Sequence, residues 1–180
     1  MPQKIEGQLA YVLHSRPYRN TSLILEMFTH DMGRQTVVAR SARGLKSRYQ
    51  GQLQLFVPLL ISYSGRGEMK NLSTVELIRR PFDLVGREMM CGFYLNELLV
   101  RLLQKGDEHK SLFSQYEKTL CALEEVNQVE LRLRLFEMTV LSELGYALNC
   151  AQVAGTGEDI EFDQWYQFFP DQGFVKAVSI

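Results

Sequence analysis

The stretch from Gly33 to Leu55, GRQTVVARSARGLKSRYQGQLQL, joins a short apolar strand to a strongly basic loop. The strand is Thr36-Val37-Val38-Ala39. The basic loop, residues 40–52, holds two glycines, no carboxylate and four cations: Arg40, Arg43, Lys46 and Arg48. A loop of this composition cannot bury itself, so it is either solvated or held against something anionic. We interpret the anion as a nucleic-acid backbone.

Strand-like segments flank the basic loop on both sides. Alternation and turn residues predict strands over 7–14, 21–29 and 34–39, with a turn at Arg16-Pro17, and further strands over 53–63 and 69–78. Pro58 predicts a bulge or an edge position in the fourth strand. Five short strands with a bend marked by Gly and Pro fit a small closed barrel better than an open sheet. We therefore predict an OB-fold over residues 1–80.

The period of the apolar residues changes after Arg79-Arg80-Pro81, where proline favours a boundary. Apolar residues then recur at helical spacing, which predicts helices over 87–104, around 112–123 and over 128–144. The third is apolar on most sides and is expected to lie centrally in its bundle. We assign residues 81–148 to a helical bundle, so the predicted class is α+β with several domains.

The net charge of −1 conceals an asymmetry between the two parts of the chain. Residues 1–80 carry a balance of +7, and residues 81–180 carry −8. This asymmetry suggests a basic binding module joined to an acidic module with another task. The sequence shows neither an apolar run near membrane-spanning length nor a signal peptide, and its three cysteines form no close pair, so we expect a cytoplasmic protein with reduced thiols.

The predicted barrel gathers cations near one face, where an oligonucleotide could lie. The candidate DNA-binding residues are Arg16, Arg19, Arg34, Arg40, Arg43, Lys46, Arg48, Arg66 and Lys70. Tyr18, Tyr49 and Tyr63 are candidates for stacking on bases. A binder of this kind should lose affinity with salt, with a log-log slope of about −0.7 per contacted phosphate on single strands.

Motifs for catalysis are weak. No histidine stands at a recognisable spacing from a Ser or Cys nucleophile, and no phosphate-binding loop motif is present. Glu158, Asp159, Glu161 and Asp163 leave open a metal-dependent nuclease, although such carboxylates are more often simply solvated. A third hypothesis is an adaptor whose basic loop binds acidic protein tails. We predict a protein that is not an enzyme and that needs no metal or cofactor.

Arg132 and Arg134 lie on the largely apolar third helix. An ion pair between Glu130 and Arg134, four residues apart, is one interpretation. The other is an arginine beside a hydrophobic groove, suited to bind the terminal carboxylate of an acidic peptide while the groove takes an aromatic side chain. The residues alone do not decide between the two.

Several segments together resemble the RecO family of bacterial recombination mediators, in particular its proteobacterial branch. They are YVLHSRPYRNTSLILEMFT, the pattern GR-x-x-x-VA-R-x-AR, LQLFVPLLISYSGRGEMKNL, YLNELLVRLL and LRLFEMTVLSELGY. The resemblance implies an OB-fold, a helical bundle and a zinc-finger-like region, here over residues 149–180. Because NCAQVAGTGE offers only Cys150 where some members carry four cysteines, we expect this tail to be degenerate and without zinc. Members are usually longer, so we also expect a C-terminal truncation.

The same resemblance implies a function. Members bind single- and double-stranded DNA, anneal complementary strands, act with RecR to load RecA, and dock on the C-terminal tail of single-stranded DNA-binding protein. It assigns Arg34, Arg40, Arg43, Lys46 and Arg48 to DNA contact and Arg134 to the tail-binding groove. The resemblance also implies that the protein acts in the cytoplasm, at the nucleoid.

Overall fold

The computed structural model describes residues 3–177, and its first part is a closed barrel of five strands. The strands are β1 (Gln3–Tyr18), β2 (Ser22–Thr29), β3 (Gly33–Ala39), β4 (Leu59–Gly65) and β5 (Met69–Leu77). They follow one another around the barrel in the order β1-β2-β3-β5-β4. Only the β3–β5 pair is parallel. The arrangement confirms the predicted OB-fold.

β1 is longer than predicted because it bends and changes partner. Its register shifts twice, once near Gly7, where φ is +64°, and its residues 3–10 pair with β4 whereas residues 10–18 pair with β2. The predicted turn at Arg16-Pro17 is wrong, since Arg16 lies opposite Ile24 and Pro17 opposite Leu23. Proline is tolerated there because β4 pairs only with the first part of β1, which leaves the second part as an edge.

β4 is shorter than predicted and begins only at Leu59. The residues before it form turns, with Phe56 at a φ of +60° and Leu55 bridged to Val12 of β1. Barrel strands then contribute alternate side chains to one core, whose buried members include Val12, Leu25, Met27, Val37, Val57, Leu59, Ile61 and Tyr63. Each large aliphatic side chain in such a core stabilises the fold by about 1.5–3 kcal/mol.

The helices α1 (Gly86–Leu102), α2 (Lys110–Glu124) and α3 (Val129–Glu143) lie within about two residues of the predicted spans. The expectation that α3 is central is wrong. Val129 and Phe136 are buried, but Leu131 is 50% exposed and Leu135 is 39% exposed. Only one stripe of the helix is therefore covered within the described residues, and apolar side chains remain accessible on another.

Aromatic side chains join the barrel to α2. The ring centroids of Tyr11 and Tyr116 are 5.1 Å apart, and those of Phe28 and Phe113 are 5.2 Å apart. Burial raises the pKa of both tyrosine hydroxyls, and the neighbouring Glu117 carboxylate adds to the effect at Tyr11. These hydroxyls therefore act as neutral hydrogen-bond donors at neutral pH.

A buried asparagine connects α1 to both neighbours. Asn96 donates through Nδ2 to the carbonyl oxygen of Leu13 at 3.1 Å, and its Oδ1 accepts from the Tyr116 hydroxyl at 2.6 Å. Because both polar ends of the amide are paired, its burial costs little. The bonds fix the rotation of α1 against β1.

The connection between α1 and α2 lies directly on the β2–β3 turn. The Gly106 amide donates to the Arg34 carbonyl oxygen at 3.0 Å. A Cβ added at Gly33, where φ is +58°, would stand 1.6 Å from the Asp107 carbonyl oxygen. Only glycine fits at this approach.

By their contacts, the residues divide into two units, 1–136 and 137–180. The second contains a hairpin of β6 (Tyr166–Phe169) and β7 (Gly173–Lys176), which agrees with the strand-like composition of the tail. The domain limits 1–80, 81–148 and 149–180 stay predictions, as does the zinc-finger-like character of the tail. The outer ends of the first and last predicted domains, residues 1–2 and 178–180, lie outside the described residues.

No helix within residues 3–177 has the length and apolar character needed to cross a membrane.

Candidate nucleic-acid interface

The basic loop leaves β3 at Arg40 and runs as a series of turns. The Gly44 amide donates to the Ser41 carbonyl oxygen at 3.2 Å, and the Ser47 amide donates to that of Gly44 at 3.0 Å. The four cations of the loop are all exposed. The turns therefore hold the loop in place while its charged side chains face solvent.

Three segments meet at the start of this loop and form the basic cleft, an open depression of about 380 Å³. The β1–β2 turn contributes Arg19, the first residue of the basic loop is Arg40, and the start of β5 contributes Lys70. Tyr18 also lines it. The described residues around the cleft include these three cations and no carboxylate, so its potential favours an anion.

Arg40 is fixed across the parallel β3–β5 pair. Its Nε donates to Oδ1 of Asn71 at 3.1 Å. Among residues 3–177, no hydrogen bond or ion pair engages its two terminal guanidinium nitrogens. The side chain is thus oriented with both terminal nitrogens left to donate to a ligand.

Arg43 has a different environment. Its Nη2 donates to the carbonyl oxygens of Arg19 and Asn20, both at 2.8 Å, and its Nε donates to that of Ser22 at 3.2 Å. The Arg43 amide also donates to the Thr21 carbonyl oxygen at 2.8 Å. The guanidinium therefore fastens the basic loop to the β1–β2 turn.

Arg48 packs on an aromatic ring. Its Cζ lies 4.7 Å from the centroid of Tyr49, and its Nη2 donates to the Tyr49 hydroxyl at 2.5 Å. That hydroxyl in turn donates to the Leu72 carbonyl oxygen at 3.1 Å. Tyr49 is consequently part of the barrel core.

This burial corrects two predictions about base stacking. Tyr49 is 4% exposed and Tyr63 is 1% exposed, so neither ring is accessible to a base. Both side chains point inward because the observed strand register and the path of the basic loop place them in the core cluster. Of the three proposed rings, Tyr18 is half-buried and lines the basic cleft.

The remaining candidate cations divide into two groups. Arg16, Lys46 and Arg66 are exposed on β1, in the basic loop and in the β4–β5 turn. Arg34 is largely enclosed, because its Nη1 donates to Glu26 at 2.8 Å and its Nε donates to the Leu103 carbonyl oxygen at 3.0 Å. The structure thus brings Arg19, Arg40 and Lys70 together and engages Arg34 in the junction with the helices.

On α3, Glu130 forms an ion pair with Arg87 of α1, across two helices. Arg132 is half-buried, and its Nε has no hydrogen-bond partner among the described residues. Arg134 is exposed, with the exposed Leu131 and Leu135 nearby in sequence on the same helix. Cations and accessible apolar surface therefore occur together on α3.

The acidic segment of the tail contains an ion pair to a lysine. Glu158 pairs with Lys176 at 2.9 Å. Within residues 3–177, no three or more His, Cys, Asp or Glu side chains come together in a way that could hold a metal ion. Cys91, Cys121 and Cys150 are free thiols.

Sequence reasoning missed the polar and apolar residues that complete the basic cleft, in particular Asn71, Ser41 and Met69. Their positions depend on the parallel β3–β5 pairing, which places Val38 opposite Asn71. A signal existed in the run Met69-Lys70-Asn71, which begins two residues after Gly67 of the Gly65-Arg66-Gly67 turn. The contribution of this run to the basic cleft could not be predicted without knowing which strand pairs with β5.

Comparison with known proteins agrees with this architecture. The family model described as "Recombination protein O N terminal" matches residues 5–81, and that described as "Recombination protein O C terminal" matches residues 85–176. A curated relative from Coxiella burnetii, named DNA repair protein RecO, is 49% identical over 176 residues, which cover 97% of this chain and 75% of the relative.

Two further relatives bear the same name. That from Nitrosococcus oceani is 43% identical over 96% of this chain and 70% of its own length, and that from Proteus mirabilis is 40% identical over 98% of this chain and 72% of its own length. Matches of this extent reach from β1 into the tail hairpin, across both family models. The chain therefore belongs to the RecO family.

Proposed function

We propose that this protein is a non-enzymatic DNA-binding mediator of recombinational DNA repair, which binds single and double strands without sequence preference and anneals complementary strands. The observation that carries the proposal is the meeting of Arg19, Arg40 and Lys70 in one cleft free of carboxylates among its described residues. Cations of this kind neutralise phosphates and carry no base specificity.

The proposed DNA surface extends outward from the basic cleft. It includes the exposed cations on β1, the basic loop and the β4–β5 turn: Arg16, Lys46, Arg48 and Arg66. Arg43 serves it by holding the loop, and Arg34 by holding the barrel to the helices. Annealing follows because two strands on one basic surface repel each other less than they do in solution.

We extend the proposal to protein partners on the strength of family membership. The mediator acts with RecR to load RecA on strands coated by single-stranded DNA-binding protein, whose C-terminal tail docks on α3. Arg132 and Arg134 would bind the carboxylate of that tail while exposed leucines contact its apolar side chains. Its place of action would be the cytoplasm, at the nucleoid.

The test is fluorescence anisotropy of a labelled single strand, titrated with the chain at several salt concentrations. We expect a straight log-log plot. Replacing Arg40 and Lys70 together by glutamine should reduce the slope by about 1.4, which is two phosphates at about 0.7 each, and should slow annealing.

The matched control replaces Arg101 and Lys118 by glutamine. Both are exposed cations on the helices, so the net charge changes equally. An unchanged slope in this control would assign the effect to the basic cleft. The proposal fails if the wild-type chain does not bind at low salt, or if both double variants lose affinity equally.

A further inference from the structure

We propose that the basic cleft is a site for one unpaired nucleotide, in which the Tyr18 ring stacks on the base while Arg19, Arg40 and Lys70 bind the flanking phosphates. The inference rests on the proposed function and deepens it. It makes Tyr18 the residue that distinguishes single strands from duplex.

The cleft combines two kinds of surface. Beside its cations it has the half-buried Tyr18 ring and Met69, which is 45% exposed. Its volume of about 380 Å³ lies in the range of small-molecule sites. A site for phosphate alone needs no aromatic or thioether wall, whereas a nucleotide uses both kinds of surface.

Tyr18 is already arranged as a platform. The Cζ of Arg19 lies 5.2 Å from its ring centroid, within cation–π distance. An unpaired base can stack on an aromatic ring or on a guanidinium plane. In a duplex the bases are stacked on each other, so the same cleft receives only phosphates.

The backbone of the cleft is held in unusual conformations. Arg19 has a φ of +49° and Ser41 has a φ of +57°, and both residues line the cleft. Non-glycine residues adopt such values at a cost, and they persist where the surroundings determine them. We therefore expect contacts from neighbouring residues to hold the β1–β2 turn and the start of the basic loop in these conformations.

Arg43 supplies the connection that fixes them. Its guanidinium binds the carbonyl oxygens of Arg19, Asn20 and Ser22, and its amide binds that of Thr21. We therefore expect the β1–β2 turn, which follows Tyr18, to move together with the basic loop. Preorganisation of this kind raises affinity because less ordering remains to be done on binding.

The experiment compares the affinities of the full chain and its variants for an oligo-dT single strand and for a duplex of equal length, at one salt concentration. Tyr18→Ala should weaken single-strand binding about 10-fold or more and change duplex binding by less than about twofold. Tyr18→Phe should bind the single strand as tightly as the wild-type chain does, because the phenylalanine ring can also stack on a base. Tyr94→Ala, at an exposed tyrosine of α1, is the control and should change neither.

A strand with abasic positions isolates the base from the phosphates. The wild-type chain should bind it more weakly than oligo-dT, and Tyr18→Ala should bind it as the wild-type does. The inference would be overturned if Tyr18→Ala lost equal affinity for single strand and duplex, or lost none for either. It would also be overturned if Tyr18→Phe bound the single strand weakly although its thermal unfolding midpoint was unchanged. If the wild-type chain binds neither DNA, the proposed function itself fails.

Discussion

Gly33 shows at the scale of one residue how tightly the barrel and the helices are joined. We expect Gly33→Ala to lower the free energy of unfolding by about 2–4 kcal/mol, because an added Cβ meets the Asp107 carbonyl oxygen and φ is +58°. Urea unfolding measures the change. Gly67→Ala is the control: φ is +79° there, but nothing lies within 4 Å of the added Cβ. If both variants lose the same stability, backbone strain alone explains the effect and the close approach has no role.

Single residues also show where sequence reasoning stopped. Tyr49 and Tyr18 look alike in the sequence, since each stands beside an arginine in a basic segment. One ring enters the core and donates to the Leu72 carbonyl oxygen, and the other borders the basic cleft. The difference arises from tertiary register, which no local pattern encodes.

At the scale of elements, the Arg43 side chain fastens the basic loop to the β1–β2 turn. We expect Arg43→Lys to speed amide hydrogen exchange in residues 41–50 and to weaken DNA binding about as much as Arg43→Gln does. The reason is geometric: an ammonium group cannot reproduce the forked donors that reach three carbonyl oxygens. Exchange followed by mass spectrometry and anisotropy measure the two effects.

Lys46→Arg and Lys46→Gln form the comparison pair, because Lys46 is exposed in the same loop. There the charge should matter, so only the glutamine variant should weaken DNA binding. Full DNA affinity in Arg43→Lys would show that Arg43 acts only through its charge.

Elements differ in how well the sequence predicts them. Clean periodicity located β2, β3, β5 and all three helices to within about two residues. It failed at β1, where bulges near Gly7 and after Val12 break the alternation, and before β4, where the largely apolar residues 53–57 lie outside any strand. It also overstated the burial of α3, because an apolar side chain does not reveal whether anything covers it.

For the whole molecule, we expect stability to fall at alkaline pH. Burial raises the pKa of Tyr11 and Tyr116 above the usual value of about 10, so the folded chain keeps protons that the unfolded chain releases. These two tyrosines therefore contribute their full stabilisation below a pH of about 10. Above it, the free energy of unfolding declines by about 1.4 kcal/mol per pH unit for each group.

Urea unfolding at several pH values measures this slope. Tyr116→Phe should reduce it by about 1.4 kcal/mol per pH unit because one titrating group is lost. Equal slopes in the wild type and Tyr116→Phe would mean that the buried hydroxyl ionises as freely as in the unfolded chain.

The candidate site belongs to the whole molecule too. Charge asymmetry predicted that the barrel is the binding module, and seven of the nine candidate cations are exposed on or beside it, with Lys70 half-buried in the basic cleft and Arg34 largely enclosed. The cleft itself could not be predicted, because its walls come from segments that meet only through the β3–β5 pairing. Composition indicates what a surface binds, whereas topology decides where.

That pairing also has a consequence for the rates of folding and unfolding. Hairpins β1–β2 and β2–β3 join neighbours in the chain, whereas closing the barrel brings Val37 beside Lys70 and Ala10 beside Leu59. Contacts so distant in sequence form slowly, so we expect closure of the barrel to come late in folding. The basic cleft does not exist before that event, and a ligand there can recognise only the closed barrel. Bound DNA should therefore slow the opening of the barrel during unfolding and leave the rate of barrel closure during folding unchanged.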